Sequence, residues 1–104
     1  MLRLGAMAAV LLWTGLAVAV APSELAQDYG CMSCHGLVRK QVGPGFAQVA
    51  ARYRGDAEAP QRLAGKIRSG GVGIWGRLSM PRQPHVSEAD AQALARWVLS
   101  QPAP

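Results

Sequence analysis

The stretch Cys31-Met32-Ser33-Cys34-His35 holds both cysteines of a 104-residue chain and one of its two histidines. A C-x-x-C core serves zinc, a redox disulfide or covalently held haem, so the five residues leave three chemistries open. Each makes different demands on the rest of the chain. A closed structural zinc site takes four ligands, usually from a second cysteine or histidine pair, and beyond this stretch only His85 remains. A thioredoxin-like pair opens a helix within alternating strands and helices, whereas no strand pattern is found here and the cysteines come at the end of a helical pattern. A simple bridge across so small a loop would constrain the unfolded chain very little. Haem uses all five positions: two thiols on one turn can form thioethers along one porphyrin edge, and the next residue brings its imidazole beneath the iron.

Upstream, Arg3 is the only charge before Glu24, and residues 4–21 form an uncharged run containing LLWTGLAVAVA. A charged start, an apolar middle and a small-residue end describe a secretory signal peptide. Ala17-Val18-Ala19 fits the small-x-small cleavage pattern, which assigns residues 1–19 to a cleaved leader and 20–104 to one domain. Cleavage after Ala21 is the other choice and would leave Pro22 beside the cut. Left uncleaved, residues 4–21 would act as a membrane anchor, at the lower edge of spanning length. Either way the polar body is exported.

That body has roughly 85 residues, short for a self-sufficient core, and chains of this size often need a disulfide, metal or other staple. It carries ten Lys/Arg against six Asp/Glu, about +4. The basic residues are scattered among apolar ones with no basic run, which argues against nucleic-acid binding.

The punctuation divides the body into about four short helices, an all-α class. Ser23 is placed to cap a first helix, with Leu25 and Tyr29 on one face, that runs into the cysteine stretch and ends near His35-Gly36. Gly43-Pro44-Gly45 reads as a turn before a short helix FAQVAARY stopped at Gly55. Asp56 caps the next helix, Pro60 lies in its opening turn, and Leu63 and Ile67 form its buried stripe before Gly70-Gly71. A loop of about fifteen residues follows, rich in glycine yet carrying Ile74, Trp75, Leu78 and Met80. So long a structureless segment in so small a domain is functional or wraps something. Ser87 with Asp90 starts the last helix, whose face is Leu94, Trp97 and Val98, with Pro102 beyond its end.

A haem iron held by His35 takes its character from the sixth ligand. Met80, in the wrapped loop, offers a soft thioether that favours ferrous iron and raises the potential. Met32 lies inside the attachment stretch and cannot reach the other face. His85 is the rival, but its polar neighbours mark it as a surface histidine.

In the order GCMSCH, VGPGF, LAGKIRSGGVGIWG, the MP of SMPR, and VSEADAQALARWVLSQ, the body resembles the small bacterial class I c-type cytochromes of the cytochrome c-551 type. The resemblance implies the class I cytochrome c fold wrapped round one covalent haem c with its iron. Cys31 and Cys34 would be the thioether attachments, with His35 and Met80 the axial ligands. Pro44 would accept from the His35 ring nitrogen that does not bind iron, making the imidazole a stronger donor. Trp75 would donate to a haem propionate, and Lys66 would serve a propionate where the family often has arginine. Gly30 and Trp97 would mark the crossing of the first and last helices, the missing side chain leaving room for the indole. One departure is MPRQ in place of the common MPPN: Gln83 could donate to the Met sulfur in place of asparagine, and Arg82 adds a charge near the haem edge. The implied function is that of a periplasmic, monomeric one-electron carrier, not an enzyme, shuttling between respiratory donors and a terminal reductase or oxidase. Its redox partners would present an acidic docking surface, and with the signal cleaved there would be no stable membrane insertion. A dedicated haem subunit of an oxidoreductase complex is the alternative.

Overall fold

A computed structural model describes residues 2–15 and 20–104; the cleavage triplet Ala17-Val18-Ala19 lies outside the described residues. Residues 2–15 carry no regular secondary structure, and their large apolar side chains, Leu11, Leu12 and Trp13 among them, are exposed. Among the described residues no helix is long and apolar enough to cross a membrane.

The body consists of α1 (Pro22–Asp28), a single 3₁₀ turn (Cys31–Ser33), α2 (Phe46–Arg52), α3 (Ala59–Ser69) and α4 (Glu88–Leu99). No strand occurs among the described residues, only two isolated bridges, His35 with Lys40 and Gly71 with Met80. The last helix is the hub and packs against the other three. Its start is as the sequence predicts: Ser87 Oγ accepts from the Asp90 backbone N–H at 3.1 Å, satisfying one of the unpaired amides of the first turn. Ala91, Leu94, Ala95 and Val98 form its buried stripe, at the spacing of one helical face.

The first helix differs from the sequence reading at both ends. Its cap is Ala21 and not Ser23, because Pro22 takes the first helical position, where its fixed φ suits the helix and its missing N–H costs nothing. The helix stops at Asp28 and does not run into the cysteines. Gly30 adopts a φ of 75°, a left-handed conformation that ends a helix and that side chains rarely tolerate. A Cβ at Gly30 would meet nothing within 4 Å, so this glycine serves the turn and not a close helix crossing. Asp56 acts one step before α3: its Oδ1 accepts from the Glu58 N–H at 2.9 Å, and Glu58 occupies the cap. Pro60 sits in the opening turn as expected.

The core is small. The buried set is dominated by alanines, and the largest fully buried side chains are Leu94 and Val86. One cluster joins Leu25, Ala26, Ala64 and Val86 to Ala91, Leu94 and Ala95 of α4; a second joins Phe46, Val49 and Val98. Leu63 and Ile67 pack against this core but are only half-buried, because the rest of their face of α3 lines a crevice. Val72, Ile74 and Leu78 of the long loop stand exposed around the same crevice.

Candidate functional site

That crevice brings together Cys31, Cys34, His35, Pro44, Lys66, Trp75 and Met80, seven residues drawn from four separate segments of the chain. The 3₁₀ turn sets the first three. The His35 N–H donates to the Cys31 carbonyl at 3.0 Å, and the Cys34 carbonyl accepts from Val42 at 3.1 Å and Gly43 at 2.8 Å, folding the following loop back over the histidine. The two thiols are unpaired and half-buried. Burial pushes the Cys31 thiol above its ordinary range, the opposite of what activates a redox cysteine pair. Among the described residues no group of three or more His, Cys, Asp and Glu is arranged to hold a metal ion, fewer than the four ligands of a tetrahedral zinc site.

The imidazole of His35 is held on three sides. Its Nδ1–H donates to the Pro44 carbonyl at 2.7 Å; a carbonyl can only accept, so the tautomer is fixed and Nε2 is left unprotonated, with a free lone pair. The Phe46 ring stacks on it, centroids 4.9 Å apart and planes 21° from parallel. Gly43 packs on it so closely that a Cβ there would lie 2.8 Å from Cε1 and 3.1 Å from Nδ1. Phe46 in turn meets Trp97 edge-on at 5.4 Å, which ties the histidine through two aromatic rings to α4. Trp97 therefore packs as expected, against Phe46 and against the cluster that joins α1 to α4, with the space above Gly30 open. Neither Phe46 nor Gly43 reads from the sequence as a site residue. The signal available was the position of Phe46, the only phenylalanine of the chain, directly after Gly43-Pro44-Gly45.

Met80 enters from the long loop. Its N–H donates to the Gly71 carbonyl at 2.8 Å and its carbonyl accepts from the Gly71 N–H at 3.0 Å, so the loop closes on itself with the methionine at its end. Trp75 is 38% exposed, and the Arg52 guanidinium lies over its ring at 4.9 Å, a cation–π contact. The Lys66 ammonium reaches the start of the same loop, 3.2 Å from where a Gly71 Cβ would stand. His85 is exposed and stays outside the crevice; its ring faces Tyr29 at 5.8 Å. Gln83 does line the crevice, but its side-chain amide donates to the Ile67 carbonyl at 3.3 Å and not to the Met80 sulfur.

The donor set suits a covalently held haem: two unpaired thiols, an imidazole with one nitrogen fixed and one free, a soft thioether, and apolar walls supplied by Val49, Leu63, Ile67 and Leu94.

Comparison with known proteins bears on the same point. The family model for Cytochrome c matches residues 20–102. The chain is 49% identical to cytochrome c-552 of Hydrogenobacter thermophilus over 83% of its own length and 88% of that protein's. It is also 49% identical to cytochrome c-551 of Allochromatium vinosum, over 80% of this chain and 94% of the relative. The crystal structure of Nitrosomonas europaea cytochrome c552 superposes with a TM-score of 0.74 at 43% identity, covering 76% of this chain and 98% of that one. With matches that extend over nearly the whole body, and a crevice whose donors suit a haem, the chain belongs to the cytochrome c family as a small class I c-type cytochrome, a haem c electron carrier and not an enzyme.

Proposed function

We propose that the chain is an exported one-electron carrier whose haem is attached through Cys31 and Cys34 and ligated by His35 and Met80. Haem bound there supplies one-electron chemistry between ferrous and ferric iron. The observation that carries the reading is the His35 ring, whose Nδ1 is committed to Pro44 while its remaining nitrogen belongs to a residue of the crevice that Met80 also lines. The Pro44 bond orients the imidazole and raises its basicity. The Met80 thioether favours the ferrous state. Trp75 and Lys66 supply an indole N–H and an ammonium for the carboxylates of the group, Trp75 with Arg52 stacked on it.

In this reading residues 1–19 are a signal peptide removed on export and 20–104 the periplasmic carrier; the family match beginning at residue 20 supports it. Lys40, Lys66 and Arg77 are exposed and line the crevice, which favours partners with an acidic rim in a brief, charge-guided encounter. Those partners are respiratory donors and a terminal reductase or oxidase, met by a monomer.

Voltammetry tests the ligand pair. The haem protein is expected to give one reversible one-electron wave, and Met80→His to move it to a clearly lower potential, because His/Met ligation raises the potential. A potential unmoved by that substitution would mean that Met80 is not at the iron.

A further inference from the structure

The segment that follows Met80 is fastened to the end of α3 by three hydrogen bonds. The Gln83 N–H donates to the Arg68 carbonyl at 2.9 Å. The Gln83 side-chain amide donates to the Ile67 carbonyl at 3.3 Å. From the helix side, Arg68 Nε donates to the Val86 carbonyl at 2.9 Å. Two of the three acceptors are carbonyls of the last turn of α3, which have no partner within the helix. The third belongs to Val86, a fully buried residue that fixes the far end of the segment in the core. Gly70 and Gly71 complete the attachment: a Cβ at Gly70 would collide with the Met80 carbonyl, so the loop crosses the helix end directly upon the glycine. Met80 is thus held between the Gly71 bridge on one side and the Gln83–Arg68–Val86 contacts on the other.

We propose that Arg68 and Gln83 are positioning residues that latch the methionine loop shut, and that this latch, more than the strength of the thioether itself, excludes outside ligands from the iron. The inference rests on the assignment of Met80 as ligand made above. A thioether is a weak donor, and a loop end held by two or three local hydrogen bonds can open without global unfolding. Closure therefore sets how often the sixth position is available. The guanidinium contact is the strongest of the three, because a charged donor makes a stronger bond than a neutral one.

The test is imidazole binding to the oxidised haem protein, followed by loss of the weak far-red band that Met–iron ligation gives. Arg68→Gln and Gln83→Ala are expected to keep the band in the absence of imidazole but to bind imidazole about tenfold more tightly than the wild type. Arg68→Lys, which retains a charged donor, should recover part of the difference. Tyr29→Phe serves as control: it keeps the ring and removes only the hydroxyl's bond to Asp90 between α1 and α4, leaves all three latch bonds in place, and should leave imidazole affinity unchanged. Equal affinity in wild type and both latch variants, with the band present, would overturn the latch alone. An increase in Tyr29→Phe as large as in Arg68→Gln would also overturn it, by showing that global stability governs access. A wild type without the far-red band would remove the Met80 assignment and the latch with it.

Discussion

At His35 a single side chain is fixed on three sides: Pro44 holds one nitrogen, Phe46 covers one face, and Gly43 leaves no room for a methyl group. Gly43→Ala is therefore a clean steric test, since the substitution adds only a Cβ, 2.8 Å from Cε1. We expect it to cost about 1–3 kcal/mol, the usual range for overpacking, and to perturb the haem spectrum, both readable by denaturant unfolding followed in the visible. Unchanged stability and spectrum would show that the loop gives way freely. Chemistry-bearing residues at this scale were legible because reactive types are few: two cysteines, two histidines, and one methionine in a loop. The residues that orient them were not. A glycine pressed against an imidazole, or a phenylalanine stacked on it, has no local signature; both depend on how the 36–43 loop folds back, which is a tertiary outcome.

Elements were legible in proportion to how local their determinants are. Both ends of α4 follow from Ser87, Asp90 and Pro102, and α3 ends at the expected glycines. Sequence pattern alone extends the first helix too far, because apolar spacing from Leu25 through Tyr29 continues into the cysteine stretch, while the φ of 75° at Gly30 interrupts it. α1 is then only seven residues long and needs tertiary support, since isolated helices of that length do not persist. One support is the Tyr29 hydroxyl, which donates to Asp90 Oδ2 at 2.6 Å. That carboxylate holds the phenol above its ordinary value of 10.0. The folded state thus binds this proton more tightly than the unfolded chain does, so its contribution is complete below about pH 10 and falls as pH rises through the folded value. Tyr29→Phe should lower stability at neutral pH and flatten its decline above about pH 10, measured by denaturant unfolding across that range. Parallel declines in the two proteins would contradict the assignment.

The molecule as a whole is short of large buried side chains. A core of alanines with Leu94 and Val86 cannot by itself stabilise a body of about 85 residues well, and the apolar loop around the crevice is exposed unless something fills the space. The need for a staple was legible from length; the wrapping of the long loop was legible from its apolar content. Its fastening to α3 was not, because Arg68 reads from sequence as an ordinary polar position and Gln83 as a donor toward the Met80 sulfur, whereas its amide turns to the Ile67 carbonyl. Charge belongs to this scale too. An excess of about four positive charges on the body, with Lys40, Lys66 and Arg77 at the crevice, predicts that electron transfer with an acidic partner slows as salt rises through the range where the screening length falls to about 10 Å and below. Stopped-flow rates independent of ionic strength would argue against charge steering.

The central claim is that one iron lies between His35 and Met80. The most direct measurement is the optical spectrum of the oxidised haem protein beside its Met80→Ala and His85→Ala variants. A weak far-red band is expected in the wild type, lost in Met80→Ala and retained in His85→Ala. A wild type lacking that band, or a band lost in His85→Ala and kept in Met80→Ala, would contradict it.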